Sequence, residues 1–339
     1  MRYVFKTRYD QDIDLFRYRS DAVSYGVLAA AMLAVPFVLS EYFVGEIAFI
    51  LTLAIASVGL MILSGYAGLV SLGHAAFLGI GAYAEAILIG QGLPFYLSLP
   101  LAGLIAGAVG ILLGIPALRM TGLYLAIATL AFAIIVEHVM GKWESLTRGH
   151  GGMQVPDATV FGFDLADANT FYFVALAVLA IVILLAANLV RSQTGRALIA
   201  IRDSETAAQS LGVNLARTKV IAFSFSAAIT GVAGGLFAHR ITWLEPNSFN
   251  VLVSLQLLMM VVVGGLGSIK GAIFGAIFLG LLDPAIAILK DYLPPALGGK
   301  AGLQLTVFGL ILVVFVLYEP AGLNGRWQKV KAYFKTFPM

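Results

Sequence analysis

Long apolar runs separated by short polar or glycine-marked breaks fill most of this chain. Ten of them, roughly 22–40, 45–63, 70–89, 97–117, 121–140, 171–190, 219–238, 251–268, 271–289 and 302–318, read as candidate membrane helices. A hydrocarbon core about 30 Å thick needs about 20 apolar residues per helix. The third run is the least regular, because Gly65, Gly68, Gly73, Gly79 and Gly81 interrupt it. The pattern predicts an all-α polytopic bundle of about ten transmembrane helices, with a broken helix near 64–81.

Composition agrees. Hydrophobic residues make up 60% of the 339 and charged residues 12%, against about 25% charged in a soluble domain. That is too few charges to coat a water-facing surface, and it excludes a disordered chain or a nucleic-acid binder. Cysteine is absent, which removes disulfides, thiolate metal sites and a cysteine nucleophile. The 37 glycines suit helices that pack closely in lipid.

Charge sets the expected orientation. The N-terminal tail carries Arg2, Lys6, Arg8, Arg17 and Arg19; the 191–219 loop carries Arg191, Arg196, Arg202, Arg217 and Lys219; the C-terminal tail carries Arg326, Lys329, Lys331 and Lys335. With ten spans these three segments share one side, and Arg119 and Lys270 in tight turns join them. Sixteen of the 21 lysines and arginines then lie on one face, with Lys142, Arg148, Arg240, Lys290 and Lys300 opposite. Both termini are expected in the cytoplasm. No cleavable signal peptide is evident. The expected division is a tail over 1–21, a transmembrane domain over 22–318 and a tail over 319–339.

Two segments outside the spans are long. The outer 141–170 loop mixes Gly, Pro and Asp with aromatics, and includes a turn at Arg148, Gly149, His150, Gly151 and Gly152 that suits gating or an acidic partner as well as simple solvation. Trp143 and Trp243 fall near the outer interface. The inner 191–219 loop predicts a short amphipathic helix near 196–212, with Ala197, Ile201, Ala208 and Leu211 on one face and Gly212 as its stop. Such a helix docks on lipid headgroups, on the protein's own helix ends or on a partner.

Within that loop, Glu205, Ala207, Ala208 and Gly212 form E-x-A-A-x-x-x-G. This resembles the E-A-A-x-x-x-G loop of ABC-transporter permeases, with Thr206 in place of the first alanine. Longer blocks add to the likeness: LMILSGYAGLVSLGHAAFLGIGAYAEAIL (60–88), RMTGLYLAIATLAFA (119–133), GRALIAIRDSETAAQSLGVNLARTKVIAFSFSAAITGVAGGLFA (195–238) and VVVGGLGSIKGAIFGAIFLGLL (261–282). Together they resemble the LivM-type permeases of importers for branched-chain and other hydrophobic amino acids. The resemblance implies a heterodimer with a second permease, two cytoplasmic ATPase subunits that use ATP and Mg, and a periplasmic binding protein, with no cofactor on this chain and no nucleic acid. It assigns Arg202, Glu205, Ala207, Ala208 and Gly212 to ATPase coupling. Alternating access would carry a branched-chain amino acid or a related small solute, urea among them.

On physical grounds the substrate path belongs where helices break, since irregular backbone at membrane depth is tolerated only when buried in protein or lining a cavity. Gly68, Ser71, Gly73, His74 and Phe77 are the candidates there, with Gly265 and Gly267 from the second glycine-rich segment. The alternative is glycine-mediated helix packing with a structural histidine. The two glycine-rich segments hint at an internal repeat. GGLGSIKG is not a phosphate loop, which requires G-x-x-x-x-G-K-[ST]. Ionisable residues inside spans are Glu85, Glu137, His138 and Asp283; Glu137 and Asp283 suit a proton relay or an amino-group site, against interfacial exposure for Glu137 and His138 and a helix break before Pro284 for Asp283. No catalytic constellation is present, and the four histidines (His74, His138, His150, His239) lack metal-ligand spacing. The other reading of the whole is an ion- or proton-coupled secondary transporter using Glu85, Glu137 or Asp283. A membrane enzyme is a third class, and it lacks a site.

Overall fold

The computed structural model describes residues 19–292, 303–319 and 321–336. The tail up to residue 18, Lys300 and the side chains of Asp283, Lys290 and Lys335 lie outside the described residues.

The described residues are mainly helical: α1 Arg19–Val38, α2 Glu41–Leu60, α3 His74–Gly90, α4 Phe95–Ala117, α5 Leu123–Lys142, α6 Ala168–Arg191, α7 Gln193–Asp203, α8 Glu205–Ser210, α9 Leu215–Ile241, α10 Val251–Gly264, α11 Ile269–Tyr292, α12 Leu303–Tyr318 and α13 Gly322–Thr336. Each of the ten predicted runs falls on one of these helices. Seven stretches of the described residues are long and apolar enough to cross a membrane. The apolar parts of α1, α3 and α12 are shorter, and α3, with 17 residues, spans about 25 Å at 1.5 Å per residue.

Helix α2 is the centre. It continues without a gap into a π-helical turn, Met61–Tyr66, and every residue from Ile50 to Gly65 is buried. Helices α6, α9, α10 and α11 pack around it, and α9 also runs along α3 and α4. The α4–α9 contact follows from one stripe of the sequence. Gly103, Gly107, Gly110 and Gly114 all face α9, and a Cβ on Gly110 would lie 2.6 Å from the Ala227 methyl. Two backbones close together in this way gain dispersion contact that lipid tails cannot supply. The glycine ridge of 261–280 does the same job, with Gly264 against Gly271 and Gly275 against Met260. Helix α1 joins through the Tyr172 hydroxyl, which donates to the Met32 carbonyl at 2.7 Å.

The predicted break over 64–81 is narrower in the structure. Irregular backbone runs from Ala67 to Gly73, and α3 is continuous through Gly79 and Gly81. Those two glycines are packing positions: Gly81 meets the backbone of Gly231, and a Cβ on Gly79 would lie 2.9 Å from the Phe249 ring. The predicted single helix near 196–212 is two helices. Ser204, extended at φ −165° and ψ 114°, ends α7 and caps α8 by accepting from Ala207 N at 3.2 Å.

On the face opposite this loop, β1 Met153–Gln154 pairs with β4 Trp243–Leu244, and β2 Thr159–Val160 pairs with β3 Phe163–Asp164. The first ladder brings the two segments with Trp143 and Trp243 to the same end of the bundle. Phe161 and Phe163 project from the hairpin, and Phe161 stacks on Tyr96 with ring centroids 6.3 Å apart.

Candidate functional site

The break and the α7–α8 loop, far apart in sequence, meet in space. The π-helical turn ends at Tyr66 and leaves the Gly65 carbonyl without a helical partner of its own register. The Arg202 guanidinium, at the end of α7, donates to that carbonyl at 3.1 Å. Arg202 also lies over Gly68, where an added Cβ would sit 2.8 Å from its Cγ, and beside Gly267, where one would sit 3.1 Å from Nη1. Gly68 has φ +70°, so a side chain here would be both strained and blocked. Arg202 further pairs with Asp203 at 3.1 Å on the surface. Of the predicted coupling and path residues, Arg202, Gly68 and Gly267 are therefore one cluster. Gly265 is buried close by, against Ala321 at the start of α13.

The other path candidates form a packed polar knot at the start of α3. His74 is buried, with Nδ1 3.0 Å from Ser71 Oγ and Nε2 2.7 Å from Ser226 Oγ. Ser226 donates its own proton to the Gly59 carbonyl at 2.6 Å, so it accepts from His74. The histidine is then the neutral Nε2–H form, receiving at Nδ1 from Ser71. Both ring nitrogens are engaged within the protein. Thr129 on α5 accepts from Leu72 N at 3.0 Å, and Ser254 on α10 accepts from Ala75 N at 2.9 Å. Gly73 is pressed on the Thr129 carbonyl, and Phe77 is buried edge-on to His74 and against Phe132. Thus α2, α5, α9 and α10 all hold the break. Hydroxyls inside apolar runs were the sequence signal for Ser226, Thr129 and Ser254.

In the loop itself, Glu205 reaches Lys219 of α9, Nζ to Oε1 at 2.8 Å. Ala208 is buried, while Thr206, Ala207, Ser210 and Gly212 face outward. Leu211 is 82% exposed beside Gly212, whose φ of +84° ends the helix. An exposed small-residue face with one projecting leucine is what a groove can receive.

Glu85, read from the sequence as an ionisable residue inside a span, is fully enclosed. Ser98 Oγ donates to its Oε1 at 2.7 Å and His239 Nε2 lies 3.4 Å away, while Oε2 has no partner. His239 also lines a cavity of about 170 Å³ with Arg240, Asp157 and Phe171. Between α3, α4 and α5 runs a wholly apolar groove of about 460 Å³, bordered by Tyr83, Ile105, Met140 and Trp143. His138 and much of α5 (Leu123, Tyr124, Ile127, Ile134, Ile135) are open. Among the described residues, no three His, Cys, Asp or Glu converge to hold a metal ion.

Comparison with known proteins gives this arrangement its context. The family described as branched-chain amino acid transport system / permease component matches residues 42–316. The high-affinity branched-chain amino acid transport system permease protein LivM of Escherichia coli (strain K12) is 35% identical over 324 residues, covering 88% of this chain and 74% of its own. A probable branched-chain amino acid transport permease protein LivH of Methanocaldococcus jannaschii is 27% identical over 272 residues, covering 76% and 84%. The autoinducer 2 import system permease protein LsrC of Enterobacter sp. (strain 638) is 29% identical over 220 residues, covering 60% and 61%. No solved structure matches. The break, the ridge and the loop that meets them all lie within the matched residues, and the chain belongs to the family of branched-chain amino acid transport permease components, the membrane-spanning subunits of ABC importers.

Proposed function

We propose that this chain forms the path for a branched-chain or other hydrophobic amino acid together with a second, related permease in a bacterial inner membrane, with both termini cytoplasmic. One of two ATPase subunits seats on the α7–α8 loop, and the pair uses ATP and Mg; this chain binds no cofactor and hydrolyses nothing. A periplasmic binding protein delivers solute to the face with the β1–β4 ladder. Separate permeases named LivH and LivM among the relatives support a two-permease assembly. The open face of α5 supports the position of the second permease. Leu123, Tyr124, Ile127, Ile134 and Ile135 leave an apolar side of it exposed along its length, which a second polytopic chain would cover.

The observation that carries this reading is the Arg202–Gly65 bond, because it joins the exposed loop to the break in the central helix. A displacement of the loop then changes the backbone at 65–73, the segment proposed to face solute in one state. Only Gly68 of the path candidates is exposed here and Gly267 is half-buried; Ser71, Gly73, His74, Phe77 and Gly265 are closed off. The closed knot represents one end of alternating access. Coupling of this kind requires different contacts in the two states.

Gentle extraction of the tagged chain and mass spectrometry of its partners tests the assembly. A second polytopic chain and a subunit with a phosphate-binding loop are expected. A chain that purifies alone contradicts it. The gradient-driven reading is favoured by one observation, the unpartnered oxygen of buried Glu85 beside His239. It predicts uptake driven by an imposed proton gradient without ATP, which Glu85→Gln abolishes.

A further inference from the structure

We infer that Lys219 is a positioning residue for coupling: Glu205 acts on this chain's own α9 through Lys219, rather than on the ATPase. The inference rests on the importer reading above. Lys219 is 1% exposed although it sits in the first turns of α9, beyond the loop, and its ammonium lies 2.8 and 2.9 Å from the two Glu205 oxygens. Both carboxylate oxygens are thereby engaged. A buried ammonium is costly unless paired, and removing its partner leaves an uncompensated charge. The pair therefore holds α8 against α9 whenever both charges are present.

The rest of α8 is built to follow. Ser204 is an extended joint between α7 and α8, and Gly212 frees the chain on the other side. Ala208 is buried on the inner side, and Thr206, Ala207 and Leu211 are left outward for a partner. A push on that outer face reaches α9 through one ionic strut. Helix α9 packs on α2, α3 and α4, and its Ser226 holds both His74 and the Gly59 carbonyl. The route from loop to break thus has two arms: α7 by Arg202 to Gly65, and α8 by Glu205 and Lys219 to α9. Sequence alone did not give the second arm, since a lysine 14 residues on reads as one more positive-inside charge.

The test uses the whole transporter, copurified and reconstituted, with solute-stimulated over basal ATP hydrolysis measured per assembled complex. Lys219→Met replaces a buried cation with an apolar chain of similar length and leaves Glu205, 33% exposed, in reach of water. It is expected to lower the stimulation about tenfold, as is the double change Glu205→Gln with Lys219→Met, which leaves no buried charge at all. Lys219→Arg is expected to retain it. Because the readout is a ratio within assembled complexes, a lower yield does not imitate the effect. Wild-type stimulation in Lys219→Met, with loss in Glu205→Gln, overturns the inference and returns Glu205 to direct contact with the ATPase. Wild-type stimulation in both variants also overturns it. If the wild-type chain copurifies with no ATPase, it is the importer reading that fails.

Discussion

Arg202 and Glu85 show how differently two charged side chains serve one membrane protein. Arg202 keeps one side of its guanidinium in water with Asp203 and turns the other onto a backbone carbonyl that the helical break has freed. Arg202→Ala is expected to reduce solute uptake about tenfold at unchanged amounts of assembled complex, because the loop then moves without the break; uptake normalised to complex in proteoliposomes measures this. Glu85 has no such access to water. Glu85→Ala takes from the His239 ring its carboxylate neighbour and leaves the Ser98 hydroxyl only the Phe95 carbonyl at 3.2 Å, and about 1–3 kcal/mol of stability is expected to be lost. Thermal unfolding in detergent reads that loss, and Glu85→Gln, which still accepts from Ser98, is expected to lie close to wild type in both stability and ATP-driven uptake. The residue identities were legible in the sequence: both sites stood out as charges in or beside apolar runs. Their partners were not, because Gly65, Ser98 and His239 come from other elements and no local spacing records them.

At the scale of elements, each apolar run fell on a helix to within a few residues, and seven stretches of the described residues are long and apolar enough to cross a membrane, as expected where helices must satisfy their backbone internally. Two details escaped that logic. Glycines were read as interruptions of α3, whereas Gly79 and Gly81 sit in regular helix and are there for close packing. The distinction is tertiary: the same residue type breaks a helix at Gly68 and lets Gly231 approach at Gly81. The second detail, the joint at Ser204, did carry a local signal, since a serine before an acidic helical turn is a good N-cap. Ser204→Ala is expected to weaken α8 by about 1 kcal/mol, seen as faster amide exchange over 205–210 with α9 unchanged. Within the α4–α9 contact, Gly110→Leu is expected to lower the thermal midpoint sharply, as an added Cβ already crowds Ala227 and the Phe223 carbonyl at 2.8 Å. Gly309→Ala on α12, where a Cβ meets nothing within 4 Å, serves as the control and should be neutral.

Across the whole molecule, the proposed coupling treats long α9 as a lever between the exposed loop and the break. An exposed loop lies at one end of the bundle, and Arg202 ties it to the break that ends the central helix, beside the polar knot. Long α9 connects the two. The geometry states what the loop grips within the chain: the Gly65 carbonyl through Arg202 and α9 through Lys219. The central claim is that the outward face of α8 is a seat for an ATPase. A single cysteine at Leu211 tests it most directly, because the chain has no other cysteine and this side chain is 82% exposed. In native membranes, a thiol-reactive cross-linker on Leu211→Cys is predicted to capture a subunit bearing a phosphate-binding loop, with a yield that changes when ATP is added. Capture of lipid alone, in a variant that still transports, would contradict the account.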